Sequence, residues 1–528
     1  MSVLDEGTTR GAFAPPQVAP SARWWTLGVV TLATSMLMID LTAVNVAVPE
    51  LRADFGITNL ADLQWVLDAY ALTLGVFLLT AGSLADKFGR KYMFLGGFAM
   101  FSMASLACGL SGNGQALDLS RGVQGIGAAA LFAIGPALIA QEFTGADRAK
   151  ALGMFAGGYG MAIAGGPVVG GALTQWLDWR WIFLVNVPLG MLAIVIGWLR
   201  IPDRGDRSPH PIDLLGLVTF SIAMTMLVFA ILRGNAEGWT SGLILGLFVG
   251  AALLLAVFVA VERARGAKAM LDLSLFKIVS VDSLAVVTTL LMGAALAAIF
   301  LVMWFVQAEL GYTPIQTGVR MLPISAVMMV MGGVAGALTV KVSPRWLLTV
   351  AGLATGLSLL SVPLMLRAGS GWTALLPCFF LIGVGLGVFN PTRAAQAINL
   401  VAPERAGLSN GVSETFQQVG VALGIAVAGA IFESRVATHF ADSEVGKRIG
   451  GPAHDLGETV AATGSPLLGP PAGPGKAAVQ AAHAAVVTGV QEVFAGGAVI
   501  VAVATVIALL FTRKSDLHES ALVPAETN

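Results

Sequence analysis

The sequence predicts an all-α integral membrane protein: two six-helix halves with two further helices inserted between them, about fourteen transmembrane helices in all. Three observations carry this. Only 12% of the 528 residues are charged, 56% are hydrophobic, and the mean hydropathy is +0.81; a soluble chain needs more charge to cover a surface that faces water. The apolar residues fall into separate runs, each long enough for the roughly 20 residues that cross a bilayer. Short motifs from the first part of the chain also return in the second at a nearly constant spacing.

The apolar windows lie near 25–48, 63–85, 92–111, 116–140, 151–175 and 181–200, then 213–232 and 241–261. Six more follow near 284–308, 317–340, 346–366, 373–398, 408–432 and 487–511. Residues 1–23 read as a polar tail with no cleavable leader, 24–200 as the first half, 201–282 as a linker with the inserted pair, 283–511 as the second half, and 512–528 as a second tail. An even number of spans puts both termini on one side. Lys87, Arg90, Lys91, Arg148, Lys150, Arg200, Arg204, Arg263, Arg265, Lys341, Arg345 and Arg513 fall on that side, and few cations fall on the other. Cytoplasmic loops carry the excess of Lys and Arg, so both termini are expected to be cytoplasmic, in the inner membrane of a bacterial cell. The outer loop 435–486, with Gly, Pro and Ala concentrated at 464–474, reads as a flexible cover or linker.

The net charge of −1 gives no sign of a nucleic-acid partner. Cys108 and Cys378 sit in apolar runs and read as buried thiols, neither metal ligands nor a disulfide. The five histidines do not cluster as ligands, and there is no Walker A loop or nucleophile elbow, so neither an enzyme nor an ATP-driven pump is expected.

The repeat has three legs. Gly82-Ser-Leu-Ala-Asp-Lys87 pairs with Gly336-Ala-Leu-Thr-Val-Lys341, Asp147-Arg148-Ala149 with Glu404-Arg405-Ala406, and Gly125-Ile-Gly127 with Gly383-Val-Gly385, at offsets of 254 to 258 residues. Parallel repeats of this kind mark transporters built from two halves.

Here the residues resemble the major facilitator superfamily, in particular its fourteen-helix drug:proton antiporters. Gly82-Ser-Leu-Ala-Asp86-Lys-Phe-Gly89-Arg90-Lys91 resembles the superfamily's cytoplasmic loop motif, and Arg121-Gly-Val-Gln124-Gly125 its R-x-x-q-G motif. Gly153, Gly166-Pro167 and Gly170-Gly171 resemble the antiporter motif of the fifth span, with Ala162 where a glycine is usual. Asp40-Leu-Thr-Ala-Val-Asn45-Val-Ala-Val-Pro49 is similar to the first-helix pattern of the fourteen-helix branch, and Trp179-Arg-Trp-Ile-Phe-Leu-Val-Asn186-Val-Pro188 to its sixth-helix signature. The resemblance runs over residues 25 to 511 and implies the major facilitator fold.

An ionised carboxylate inside a bilayer is costly unless it faces water or a partner, so an acid at that depth is suited to taking up and releasing protons. The resemblance gives Asp40 that role, against the alternative of a structural carboxylate bonded to a neighbouring helix. A buried guanidinium stabilises the charged form of a nearby carboxylate and makes proton uptake switchable as they part; the resemblance gives Arg121 this coupling role, and a fixed pair with Asp118 is the rival. Asp68 stands where exporters of quaternary ammonium compounds often carry an acid, and otherwise reads as an interfacial Asp. Glu414, Gln417 and Gln418 share one face of the thirteenth span and are expected to line the cavity and bind substrate; the resemblance to cation exporters with an acid there makes Glu414 a second charge for substrate or coupling, with a packed polar stripe as the rival. Asn390 and Arg393, one turn apart on the twelfth, are candidates for the inner mouth. Asp86, Arg90 and Lys91 are expected to form a charge latch between helix ends. Gly166, Pro167, Gly170 and Gly171 permit close packing and a bend, which the resemblance links to antiport. Pro323-Ile-Ser-Ala-Val-Met328 lacks the acid some relatives carry there, which weighs against dications.

The expected function is proton-coupled export of amphipathic, cationic small molecules, with no cofactor and with protons and membrane lipids as the other partners of a monomer. Export of an endogenous metabolite, lipid or siderophore, proton-coupled uptake, and a non-transporting sensor or scaffold are the alternatives. The inserted spans, lacking embedded charge between Gly216 and Leu232, are expected to pack beside the core without touching substrate.

Overall fold

The protein is described by a computed structural model covering residues 20–55, 60–143, 145–205, 213–266, 273–339, 341–401, 406–465, 476–513 and 516. Most of both expected tails, the linker around 206–212, the Glu404-Arg405 leg of the repeat and the Gly/Pro-rich stretch from 466 lie outside the described residues. Within them the chain is helical, with no strand.

The first half comprises α1 (Pro20–Phe55), α2 (Leu60–Phe88), α3 (Arg90–Gly109), α4 (Gly114–Glu142), α5 (Gly145–Trp176) and the pair α6 (Trp181–Leu184) and α7 (Asn186–Arg200). Then come α8 (Leu214–Glu237) and α9 (Gly242–Arg265). The second half comprises α10 (Val279–Trp304), α11 (Pro314–Leu338), α12 (Pro344–Met365), α13 (Leu376–Asn399), α14 (Ala406–Asp442), the short α15 (Glu444–Ile449) and α16 (Ala453–Thr463), and α17 (Lys476–Phe511). Among the described residues thirteen stretches are long and apolar enough to cross a membrane, α6 and α7 counting as one. The fourteenth is α5, bent by 42° between Lys150–Ile163 and Gly165–Trp176. The bend sits where it must: the ring of Pro167 meets the carbonyl four residues back, that of Ile163, and takes one donor out of the ladder. The chain is a multi-pass membrane protein.

The two halves are packed alike. In the first, α1 lies on α5, α2 and α3 both lie on α4, and α3 lies on α7. In the second, α10 lies on α14, α11 and α12 on α13, and α12 on α17. The glycine pairs read from the sequence do equivalent work. A Cβ on Gly127 would stand 2.6 Å from Phe101 N of α3, and one on Gly125 would run into Tyr70 of α2. Likewise a Cβ on Gly385 would stand 3.0 Å from Thr355 N of α12, and one on Gly383 2.7 Å from Ile324 O of α11. Absent side chains let each central helix approach two neighbours at backbone distance.

The halves meet along two seams, α5 with α11 and α2 with α14. The inserted α8 lies against α2 and α14, while α9 packs mainly on α8. Leu72, Val76 and Leu79 of α2, Phe220, Met224 and Val228 of α8, and Val412 and Val419 of α14 form one apolar cluster, so α8 touches both halves.

One expectation fails. The segment 435–486 is not a flexible cover over its described length: α14 continues to Asp442, α15 and α16 follow, and α17 starts at Lys476. Alanine is the strongest helix former, and Lys476-Ala-Ala-Val-Gln-Ala-Ala-His-Ala-Ala485 winds accordingly. In α16, Ala453, Gly457, Val460 and Ala461 are buried on one face, and Gly457 meets the backbone of Ala437 in α14. Glycine and proline counts hid an amphipathic spacing.

Candidate functional site

The first-half site is built by five helices, α1, α2, α3, α4 and α7, around Asp40 of α1 and Arg121 of α4, both fully buried. Arg121 Nη1 donates to Asp40 Oδ2 at 2.5 Å and to Gln124 Oε1 at 2.6 Å, and Arg121 Nε donates to the Val66 carbonyl at 3.0 Å. Gln124 Nε2 donates to Asp40 Oδ1 at 3.0 Å and to Ser105 Oγ at 2.6 Å. Asn186 Nδ2 reaches the same Ser105 Oγ at 3.3 Å. The Tyr70 ring lies 4.2 Å from the guanidinium carbon of Arg121. Both carboxylate oxygens of Asp40 are thereby held by α4, whereas Arg121 Nη2 and the Tyr70 hydroxyl have no hydrogen-bond partner among the described residues. Such a pair can keep its charges in a low-dielectric interior only while both partners stay in contact.

Arg121 therefore pairs with Asp40 across two helices and not with Asp118 on its own. Gln124, Ser105 and Asn186 were not assigned roles from the sequence. Gln124 had a signal, being one turn after Arg121 on the same face of the helix.

The second-half site lies closer to the end of the bundle that carries Asp86 and Arg90. Arg393 Nη2 of α13 donates to Glu414 Oε1 of α14 at 2.6 Å, and Nη1 donates to Ser413 Oγ at 2.7 Å. Glu414 is thus neutralised by Arg393 and is not a lone cavity charge. Glu414 Oε2, Gln417 Oε1 and Arg393 Nε are buried without a hydrogen-bond partner among the described residues. They surround a cavity of about 20 Å³ lined also by Phe132 of α4, Phe155 and Tyr159 of α5, and Asn390 of α13. That volume admits one water and no drug-sized molecule. Gln418 is half-buried and is not part of this lining. Asp68, also half-buried, stands apart from both ion pairs on the face of α2 that meets α8.

At the charged end, Arg90 binds Asp86 through Nε at 3.2 Å and Nη2 at 3.1 Å, joining the end of α2 to the start of α3. Lys91 turns elsewhere: its Nζ donates to the Trp198 carbonyl at 2.9 Å in the last turn of α7, where a cation also meets the negative helix end.

The antiporter-motif glycines divide between two partners. A Cβ on Gly170 would stand 2.8 Å from Ala43 Cα, and one on Gly166 2.9 Å from Thr42 Cβ, both in α1. One on Gly153 would stand 2.6 Å from Gly332 O, and one on Gly171 2.9 Å from Ile315 Cγ1, both in α11. The bent helix α5 is thus seated at backbone distance against its own half and against the other.

Two bundles of matching order, a bent glycine-lined helix shared between them and a buried Asp–Arg pair agree with the family model that matches residues 30–425, described as Major Facilitator Superfamily. The chain belongs to the Major Facilitator Superfamily. It is a membrane transporter and not an enzyme. Among curated superfamily members, the "Tetracenomycin C resistance and export protein" of Streptomyces glaucescens is 33% identical over 521 residues, covering 96% of this chain and 95% of that one. The "Puromycin resistance protein pur8" of Streptomyces alboniger is 34% identical over 424 residues, covering 80% of this chain and 84% of that one. Among solved superfamily structures, a bacterial homolog of the human lysosomal transporter Spinster, inward-facing and occupied, aligns with a TM-score of 0.57 and 16% identity over 95% of this chain and 99% of that one. At that identity the likeness concerns the fold alone.

Proposed function

We propose that this protein is a proton-coupled antiporter that exports amphipathic small molecules, cations among them, by alternating access between its halves. The observation that carries the reading is the Asp40–Arg121–Gln124 network. A proton arriving on Asp40 removes its charge, and the buried Arg121 then loses its compensating anion. The pair thus favours two settings, deprotonated and joined or protonated and parted, and parting moves α1 relative to α4. A helix movement tied to one proton is what coupling requires. The outward direction is supported by relatives named for resistance and export that align over most of their length. The charge bias of the loops supports cytoplasmic termini, so protons would enter as substrate leaves.

The test uses purified protein in proteoliposomes with an imposed pH gradient and ethidium as the probe. Ethidium should move against its gradient, and movement should stop when the proton gradient is collapsed or Asp40 is replaced by Asn. Movement unchanged by either would overturn the reading. A second reading, a dedicated exporter of one antibiotic-like product, is favoured by the tetracenomycin C relative, which matches nearly end to end. Transport restricted to one chemical scaffold would select it.

A further inference from the structure

The apolar stripe by which α2 meets α8 ends in charge. Outward from Leu79, Val76 and Leu72, the same face of α2 carries Asp68 and then Trp65 at helical spacing. Across from them α8 ends in Phe229, Arg233 and Glu237, each four residues after the last. The Trp65 and Phe229 rings are 5.5 Å apart, and the Arg233 guanidinium carbon lies 5.5 Å from the Trp65 ring centre. Arg233 Nη2 donates to Glu237 Oε1 at 2.9 Å, while Nη1 is buried and has no hydrogen-bond partner among the described residues. The charges acting on Asp68 are this Arg233, which attracts it, and Asp118 of α4, which repels it.

We propose that Arg233 sets the charge selectivity of Asp68: its guanidinium is the resident cation of the Asp68–Trp65 corner, and an amphipathic organic cation binds there only by displacing it. The inference rests on the proposed transport of such cations and departs from the expectation that the inserted helices stand clear of substrate.

An organic cation is recognised by a carboxylate beside an aromatic face, and this corner offers both. Arg233 already uses the ring, and its single positive charge is shared between Asp68 and Glu237. A displaced guanidinium keeps its bond to the exposed Glu237, so displacement costs only part of its pairing. A neutral guest gains nothing from the carboxylates and has no charge with which to replace Arg233. The corner therefore discriminates by charge, and its affinity is held down by a competitor belonging to the protein itself.

Tetraphenylphosphonium and neutral triphenylphosphine oxide, similar in bulk, are titrated against the purified full chain. Arg233→Gln should tighten tetraphenylphosphonium binding about tenfold and leave the oxide within about twofold, since only the cation feels the lost charge. Arg233→Lys should restore the wild-type discrimination, and in an Asp68→Asn background Arg233→Gln should change neither probe. Equal shifts for both probes, a gain that persists without Asp68, or no phosphonium binding by any variant overturns the proposal. Arg233-dependent binding without proton-driven transport would sink the antiport reading and leave this one standing.

Discussion

Asn410 of α14 donates from Nδ2 to the Ala133 carbonyl of α4 at 2.9 Å, a side chain of one half tied to the backbone of the other. It lies in the same part of the bundle as the water-sized cavity beside Glu414. Close by, Ile398 of α13 packs on Ala140 of α4, and Gly411 reaches α2 at Leu78. The halves are thus held together by these contacts near the Asp86–Arg90 end.

Removing that tie should let the halves part at that end. A buried hydrogen bond contributes about 1 kcal/mol, so Asn410→Ala should shift the joined-to-parted ratio about fivefold. Thiol labelling of Ile398→Cys, in a background lacking Cys108 and Cys378, reads the shift. Unchanged labelling would show that the apolar contacts alone hold the halves together there.

Asp40→Asn should destabilise as well as uncouple. It leaves Arg121 charged and buried without its anion, a loss of about 3–5 kcal/mol for pairs of this kind. The double variant Asp40→Asn with Arg121→Gln should recover most of the melting temperature and none of the proton-driven transport. Recovered transport would remove the pair from the coupling step.

The seat of α5 on α1 should tolerate nothing larger than glycine at Gly170. A Cβ there meets Ala43 Cα at 2.8 Å, and overpacking typically costs about 1–3 kcal/mol. Gly165→Ala is the control, because among the described residues no atom outside its own turn of helix lies within 4 Å of its Cβ position. Thermal melting in detergent should separate the two, and equal melting temperatures would show that α5 shifts without penalty.

His483→Ala should loosen the outer end of the second half. Glu309, fully buried beyond α10, accepts from Ser465 N at 2.8 Å, from Ser465 Oγ at 2.5 Å and from His483 Nδ1, while Gly369 N donates to His483 Nε2 at 3.1 Å. Losing one partner of a buried carboxylate costs about 1–3 kcal/mol. Limited proteolysis should cut between α15 and α17 faster in the variant; identical cleavage would show that His483 adds nothing to the hold of Ser465 on Glu309 and of the apolar face of α16.

Much of this was legible in the residues, because a bilayer simplifies the code. Apolar length counts the spans, and Gly125 and Gly383 mark equivalent helices since both approach a neighbour's backbone. Asp40 and Arg121 stood out because charge at that depth needs a reason. Which charge met which was not legible: Asp118 is close to Arg121 in sequence, yet the packing of α1 on α4 brings Asp40 instead. That Glu414 would be paired was not legible either, because its partner Arg393 comes from the preceding helix, and sequence spacing carries no information about rotation between helices. The helices beyond the membrane were missed because glycine and proline counts were weighed above the period of Ala453, Gly457, Val460 and Ala461.

The extension of α14 and α17 beyond their apolar stretches has a practical side. Together with α15 and α16 they form a folded knob on the side opposite the Asp86–Arg90 end, on a molecule otherwise wrapped in lipid or detergent. If the termini are cytoplasmic, as proposed from the loop charges, that face lies outside the cell, and an antibody fragment could grip it without crossing the membrane and without becoming cargo. A fragment raised against residues 444–463 that slows ethidium efflux from intact cells would make the knob a target that efflux itself cannot clear; binding with no slowing would leave it a fiducial for imaging.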